Sequence, residues 1–333
     1  MHSPRLSEEL EALVRQHGAT FDPHYPPSDN SDHGPMAYLA MHGLGIGFED
    51  IDAFAAAYRA RLVSIPPPIE SVSASTWRKH IGRRQSYAAL LAFFVDEIAS
   101  SGWQTTVSQY LPVLISGWVR DAFHPLIRLG YGIEFESTPE IAAGLAYMTI
   151  TGDDPVLANI AARGASKSDG RTYIESVRPI HDPRYSRGPF NARYQRITEG
   201  ATELRRASGE AGRTLKEISR ACLEVFHATH DFFALHLVTS SHAFRVCAPY
   251  AGTGLDALLS TGIATAYLAI GAPSFEPLPS ASAVLPIDRL SKATDEHDVK
   301  VAYSCLAQSH AFEDATYRWV ANEYLKPRLP EMR

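Results

Sequence analysis

Cysteine is scarce in this chain: Cys222, Cys247 and Cys305 are the three among 333 residues. None stands in a CxxC pair, so neither a disulfide framework nor a thiolate zinc site is expected. An excess of positive charge is missing too. The formal net charge is −6 and the pI about 6.2, which leaves no global field to draw the protein to nucleic acid or anionic lipid. The basic stretches RKHIGRR (Arg78 to Arg84) and ELRRASGEAGR (Glu203 to Arg213) are short, and acids interrupt the second. Both read as solvated faces. MHSPRLSEELEALVRQHG alternates leucine with charge like an amphipathic helix and has no apolar core of a secretion signal. The least charged run, LLSTGIATAYLAIGAPSF (Leu258 to Phe275), is interrupted by Gly, Ser, Thr and Pro and reads as a buried helix and loop rather than a membrane span. The expectation is a soluble protein of a reducing, cytoplasmic compartment, with no nucleic acid or membrane partner.

The motifs of common nucleotide and hydrolase chemistry are absent as well. HGLGIGFED (His42 to Asp50) lacks GxGxxG spacing and follows a helical pattern rather than a strand, so a Rossmann pyrophosphate site has little support. No P-loop, HExxH or GxSxG occurs. Strand alternation is nearly missing, and helical periodicity takes its place. IDAFAAAYRARL (Ile51 to Leu62) repeats apolar residues at i, i+3, i+4 and i+7 until IPPP stops it. YAALLAFFVDEIASSG closes on a serine–glycine break, and Pro112 in the next segment marks a helix start or a kink. STPEIAAGLAYMTITG opens with Ser, Thr, Pro and Glu, a helix-start signature. EAGRTLKEISRACLEVFHATHDFF and DEHDVKVAYSCLAQSHAF are further helices. Phe21 to Asp32 and Gly271 to Asp288 read as loops. The whole chain, 1–333, reads as one all-α domain of many helices, with two packed helical lobes as the alternative.

Histidine is what the chain has in plenty: 14 residues, many beside apolar neighbours. A buried imidazole needs hydrogen-bond partners or a metal, because an unsatisfied ring nitrogen costs free energy. SDHGPMAYLAMHGLG carries His33 and His42; DAFHPLIRLGYG carries His124 before a proline. FHATHDFFALHLVTSSHAFR carries His227, His230, His236 and His242. In DEHDVKVAYSCL, His297 and Lys300 stand three apart on one helix face. His236 and His242 are six residues apart, about 240° round a helix, so one can reach a given metal while the other orients or packs. His227 and His230 share a partly exposed face. His2, His17, His24, His80, His181 and His310 have polar or loop settings and read as surface residues. For any one of these histidines a core position hydrogen-bonded to a carbonyl is the simpler role. Arg128 and Tyr131 lie within two turns of His124, in reach of a phenolate or quinone oxygen, although a salt bridge is the simpler role for Arg128. Phe123, Phe232, Phe233 and Phe244 would suit a flat aromatic ligand, or only core packing.

Taken in order, HGPMAYLAMHGLG, AFHPLIRLGYGIEFE, FFALHLVTSSHAFRV and DEHDVKVAYSCL resemble the questin oxidase family. WRKHIGRRQSYAALLAFFVDEIASSGW resembles its early helical region, and the likeness runs from about Asp32 to the final helix. One departure is DFFAL before His236, where the family pattern leads one to expect Asn and Thr. The resemblance implies an oxidoreductase that opens or oxygenates anthraquinone-type polyketide rings. Fungal members are described as flavin-free Baeyer–Villiger oxygenases using NADPH, while some relatives look like non-haem iron dioxygenases. It also implies His33, His124, His236 and His297 as ligands of a mononuclear Fe(II). Lys300 joins them, carbamylated so as to supply a carboxylate-like oxygen, or else pairs with Asp295, Glu296 or another acid. The expectation drawn is an iron oxygenase, a dioxygenase in preference, acting with dioxygen on a small aromatic substrate. The alternatives are a metal-free, NADPH-dependent Baeyer–Villiger oxygenase and a non-catalytic helical protein that binds a hydrophobic ligand.

Overall fold

The computed structural model describes residues 5–27, 30–162, 170–200, 204 and 215–329. Among these are sixteen α-helices and one antiparallel two-stranded ribbon, His24–Tyr25 against Asn30–Ser31. The fold is all-α, as the periodicity predicts. His2 and all of the second basic stretch except Leu204 lie outside the described residues.

The first helices follow their local signals. In α1 (Glu8–Thr20), Ser7 caps the helix by accepting from the Leu10 amide at 3.2 Å, and Leu10, Leu13 and Val14 face inward. After α2 (Gly34–Gly43), α3 (Phe48–Arg59) buries Ile51, Phe54, Ala55 and Tyr58, the stripe that IDAFAAAYR spells. Gly102, at φ 77°, ends α4 (Tyr87–Ser101) in a conformation that side chains resist. Pro112 lies in the last turn of α5 (Trp103–Leu114), so it marks neither a start nor a mid-helix kink. Pro139 occupies the first turn of α7 (Thr138–Thr151), where its missing N–H is harmless.

The centre is built from helices that are apolar on most sides. α6 (His124–Glu134) is buried from His124 to Ile133, and α7 from Glu140 to Ile150. Between these and the late helices run α8 (Pro155–Ala161), α9 (Gly170–Val177), α10 (Phe190–Glu199) and α11 (Leu215–Thr229). Then come α12 (Phe232–Cys247), α13 (Leu255–Ala269), the short α14 (Ile287–Leu290), α15 (Glu296–Phe312) and α16 (Thr316–Leu325). The Leu258–Phe275 run is thus helix and loop, and among the described residues no helix is long and apolar enough to cross a membrane. One apolar core joins these elements, each large buried side chain contributing roughly 1.5–3 kcal/mol.

Two glycines set how closely the central helices meet. A Cβ at Gly144 of α7 would stand 2.6 Å from the Leu129 Cα of α6. A Cβ at Gly130 of α6 would stand 2.8 Å from the Ala243 Cβ of α12. α6 is therefore held between α7 and α12 at a spacing that only glycine permits. α15 packs against α2, α12 and α16, which brings the ends of α2, α6, α12 and α15 to one buried point.

Candidate metal centre

Each histidine of the cluster is placed by a local device at or near the start of a helix. His33 is the N-cap residue of α2, and its amide donates to the Tyr58 hydroxyl at 2.6 Å. His124 opens α6, directly before Pro125 and directly after three consecutive left-handed residues, Asp121, Ala122 and Phe123. His236 lies in the second turn of α12, whose first turn Asp231 caps through the amides of Phe233 and Ala234. His297 lies in the first turn of α15, where Asp295 is the cap and accepts from the His297 amide at 2.9 Å. Lys300 follows one turn on and is fully buried.

The rings converge. His33 and His124 have centroids 4.4 Å apart, His33 and His297 4.6 Å, and His124 and His236 4.8 Å. His33, His236 and His297 each bring a ring nitrogen within 4.8 Å of the others. The Nε2 atoms of His124 and His236 are 3.1 Å apart. Lys300 Nζ lies 2.8 Å from His33 Nδ1. The five residues singled out from the sequence thus meet at one place.

The outer nitrogens decide what the inner ones offer. His124 Nδ1 meets the Asp121 carbonyl, and His236 Nδ1 meets the Phe232 carbonyl at 2.8 Å. A carbonyl only accepts, so both Nδ1 atoms carry the proton and both Nε2 atoms present lone pairs. His297 Nδ1 donates to the Asp295 carboxylate at 2.9 Å, and its Nε2 is buried with no hydrogen-bond partner. Such an outer bond to a carbonyl or carboxylate is how metal-binding imidazoles are held. Two lone pairs 3.1 Å apart repel unless a cation lies between them. Two nitrogens bonded to one ion at about 2.1 Å and at right angles would stand ~3 Å apart. The residues therefore fit a histidine-bound metal ion.

Protons are a poor substitute for that cation. Burial, with the charge of Lys300, pushes His124 down to about 3. Burial and the neighbouring cationic groups hold His33 and His236 well below the ordinary imidazole range. Burial also lowers His297, although Asp295 opposes it. Lys300 is pushed down to about 8 by burial, against the pull of Glu296 and Asp295. The Glu296 carboxylate stands 4.0 Å from both His33 Nδ1 and His297 Nδ1, and its other oxygen accepts from Arg61 at 2.7 Å. Lys300 hydrogen-bonds His33, and Asp295 serves His297 and Arg328 instead.

The other candidates named from the sequence fall elsewhere, and three histidine expectations need correction. His42 is half-buried against Phe135, outside the cluster. His242 faces away: its Nδ1 is 3.2 Å from Ser304 Oγ, and its Nε2 is 2.9 Å from a Glu134 oxygen. Arg128 is a salt-bridge residue, donating twice to Glu140 at 2.9 and 3.2 Å. The Tyr131 hydroxyl donates to the Lys300 carbonyl at 3.4 Å. His17, His24 and His80 are not surface residues but buried. His17 bonds Asp32 and Tyr38, His24 bonds Asp121 and Tyr147, and His80 bonds Ser86. Their partners come from the fold, so the polar local sequence misleads. Of the four phenylalanines, Phe123 and Phe244 are core residues around Trp118. Phe232 is 51% exposed, and its ring lies 4.9 Å from His236 and 4.8 Å from His297. It is the aromatic face that the cluster shows to solvent. Asp121 belongs to the site without any signal in the sequence, because a carbonyl contact leaves none, and Glu296, expected only as a partner of Lys300, stands beside His33 and His297.

A family description, questin oxidase-like, matches residues 30–305. A Baeyer–Villiger oxidase of Pestalotiopsis fici is 24% identical over 273 residues, covering 70% of this chain and 61% of the relative. A questin oxidase of Aspergillus terreus is 27% identical over 199 residues, covering 50% and 45%. A Baeyer–Villiger oxidase of Pestalotiopsis microspora is 40% identical over 79 residues, covering 20% and 17%. The matched parts span at most 61% of the length of these three relatives. The family match takes in His33 through Lys300, and on that match the chain belongs to the questin oxidase-like family.

Proposed function

We propose that this protein is an oxygenase that inserts an oxygen atom beside a carbonyl of a small aromatic, quinone-like substrate. Dioxygen is the oxidant, and a mononuclear iron held by His33, His124, His236 and His297 is the cofactor. One observation carries the metal: buried imidazoles aim unprotonated nitrogens at one point, with their outer nitrogens already engaged. Iron when bound would supply the dioxygen activation that no side chain offers. The relatives' names support the reaction type, since Baeyer–Villiger chemistry places oxygen between a carbonyl carbon and its neighbour. They lend no support to a dioxygenase, so oxygen insertion takes its place in this reading. Inserting one oxygen atom consumes one dioxygen, two electrons and two protons and releases one water. NADPH is the electron donor in this scheme.

The chain's own residues have definite tasks. Asp295 and the carbonyls of Asp121 and Phe232 hold three imidazoles in the tautomer that leaves Nε2 bare. Phe232 offers a ring against which a flat substrate can lie at the cluster's open side. Lys300 as an ammonium would be repelled by a dication. As a neutral amine it can add carbon dioxide with loss of a proton, and the carbamate oxygen would be the anionic ligand that four imidazoles lack.

Metal content measured by plasma mass spectrometry on untagged protein tests the proposal, with His124→Ala and His236→Ala beside wild type. Near-stoichiometric iron in wild type and none in the variants is the expected result. No metal after anaerobic Fe(II) loading would leave the metal-free oxygenase, or the non-catalytic binding protein, in its place. Dioxygen and NADPH uptake with a hydroxyanthraquinone should then run one to one. Dioxygen uptake without NADPH would restore the dioxygenase.

A further inference from the structure

We propose that Asn191 and His24 are positioning residues for His124, acting through a turn that they lock from behind. Asp121, Ala122 and Phe123 have φ of 49°, 51° and 70°. Three successive left-handed residues that all carry a Cβ do not hold that shape unaided. Here the fold supplies the hold. The Asp121 amide donates to Asn191 Oδ1 at 3.0 Å, and Asn191 Nδ2 donates back to Asp121 Oδ1 at 2.5 Å. The other carboxylate oxygen meets His24 Nε2 at 3.1 Å and the Thr151 hydroxyl at 3.5 Å. His24 is itself fixed, lying 3.2 Å from the Tyr147 hydroxyl, which bonds Ser31 at 2.9 Å.

The locked turn has one output toward the cluster. The Asp121 carbonyl meets His124 Nδ1, so the turn sets both the tautomer and the tilt of that ring. The latch reaches His124 from segments far away in sequence: His24 lies on the ribbon, and Asn191 is the second residue of α10. Its outer side floors a cleft of about 470 Å³ lined by His24, Asp121, Thr151 and Asn191 together with Gln195. Asn191 is exposed there, so it can be truncated without opening the core. The purpose of the latch rests on the metal reading above, but its geometry does not.

The test compares wild type, Asn191→Ala and Gln195→Ala, the last lining the same cleft one turn along without a bond to Asp121. Long-range nitrogen–proton NMR of metal-free protein reads the His124 tautomer directly. A pure Nδ1–H form in wild type and Gln195→Ala, giving way to a mixture in Asn191→Ala, is the expected result. Co(II) titration should then show roughly tenfold weaker binding and shifted visible bands for Asn191→Ala alone. An unchanged His124 tautomer in a folded Asn191→Ala protein would overturn the proposal. A changed tautomer with no Co(II) binding by wild type would uphold the latch and remove the metal.

Discussion

Two buried polar clusters lie side by side behind residues 32 and 33, and they are built on opposite plans. In one, Arg128, Glu140, Asp32, His17 and Tyr38 match donors to acceptors: Arg128 to Glu140 at 2.9 Å, His17 to Asp32 at 2.8 Å, Tyr38 to His17 at 3.0 Å. In the other, neutral imidazoles and an amine face one another, and the carboxylates stay at the rim: Asp295 takes the outer nitrogen of His297, and Glu296 stands 4.0 Å from His33. The first balances its charges within the chain, with Arg128 set between the Glu140 and Asp32 carboxylates. The second leaves the buried Nε2 of His297 without a partner and sets two further bare Nε2 atoms 3.1 Å apart. Burial alone therefore says little about function; whether lone pairs are spent or left over says much more.

Breaking each plan should have different consequences. The largest change in stability belongs to Arg128→Ala, which strands two buried carboxylates and should cost on the order of 3–5 kcal/mol. Urea melts would show it, while metal bound per folded molecule stays the same; a mild loss would mean that the charge-balanced cluster is not the structural one. His297→Ala should weaken Co(II) or Fe(II) binding by about a hundredfold, or ~2.7 kcal/mol, with far less effect on the metal-free melt. Equal losses in both melts would make His297 a packing residue. Lys300→Met should stabilise the metal-free protein at pH 7 by on the order of 2 kcal/mol, since it removes an amine whose charge burial disfavours. The Lys300 pKa lies below its unfolded value of 10.5 at about 8, so the unfolded chain binds more protons in that window. Wild type should regain stability between those pH values, and the gap to the variant should close there.

The last contrast shows only on acidification, as the acid limb of metal-free protein. Folded His124, at about 3, binds fewer protons than the unfolded chain below 6.5. Stability should therefore fall as pH drops from 6.5 toward 3, with His33 and His236 adding in the same direction. His236→Phe should flatten that limb, and a limb that keeps its slope would place the acid sensitivity elsewhere.

Helices and the histidine-bearing segments are legible in the sequence because their causes are local. An apolar stripe fixes α3, and a proline marks the first turn of α7. Helical pitch, another local cause, turns His236 and His242 toward different neighbourhoods. What the sequence hides arises from distance. His17, His24 and His80 look solvated beside their sequence neighbours, yet His24 is buried against Asp121, 97 residues away. The turn before His124 has no glycine to announce it, because tertiary bonds rather than composition hold its shape. Asp295 stands near enough in sequence to pair with Lys300, whereas the cap position turns it toward His297.

Gly130 gives the histidine cluster a property that none of its imidazoles possesses. It lies six residues beyond His124, and Ala243 lies seven beyond His236, so the helices touch about 9 to 10 Å along their axes from the two histidines. That touching point sets how closely the two helices that carry the rings can approach, like the hinge of a calliper. Were a metal held there as proposed, the radius of ion accepted would be set by a residue with no side chain. Exchanging one nitrogen donor for another would alter affinity, whereas widening the calliper would alter which element is admitted.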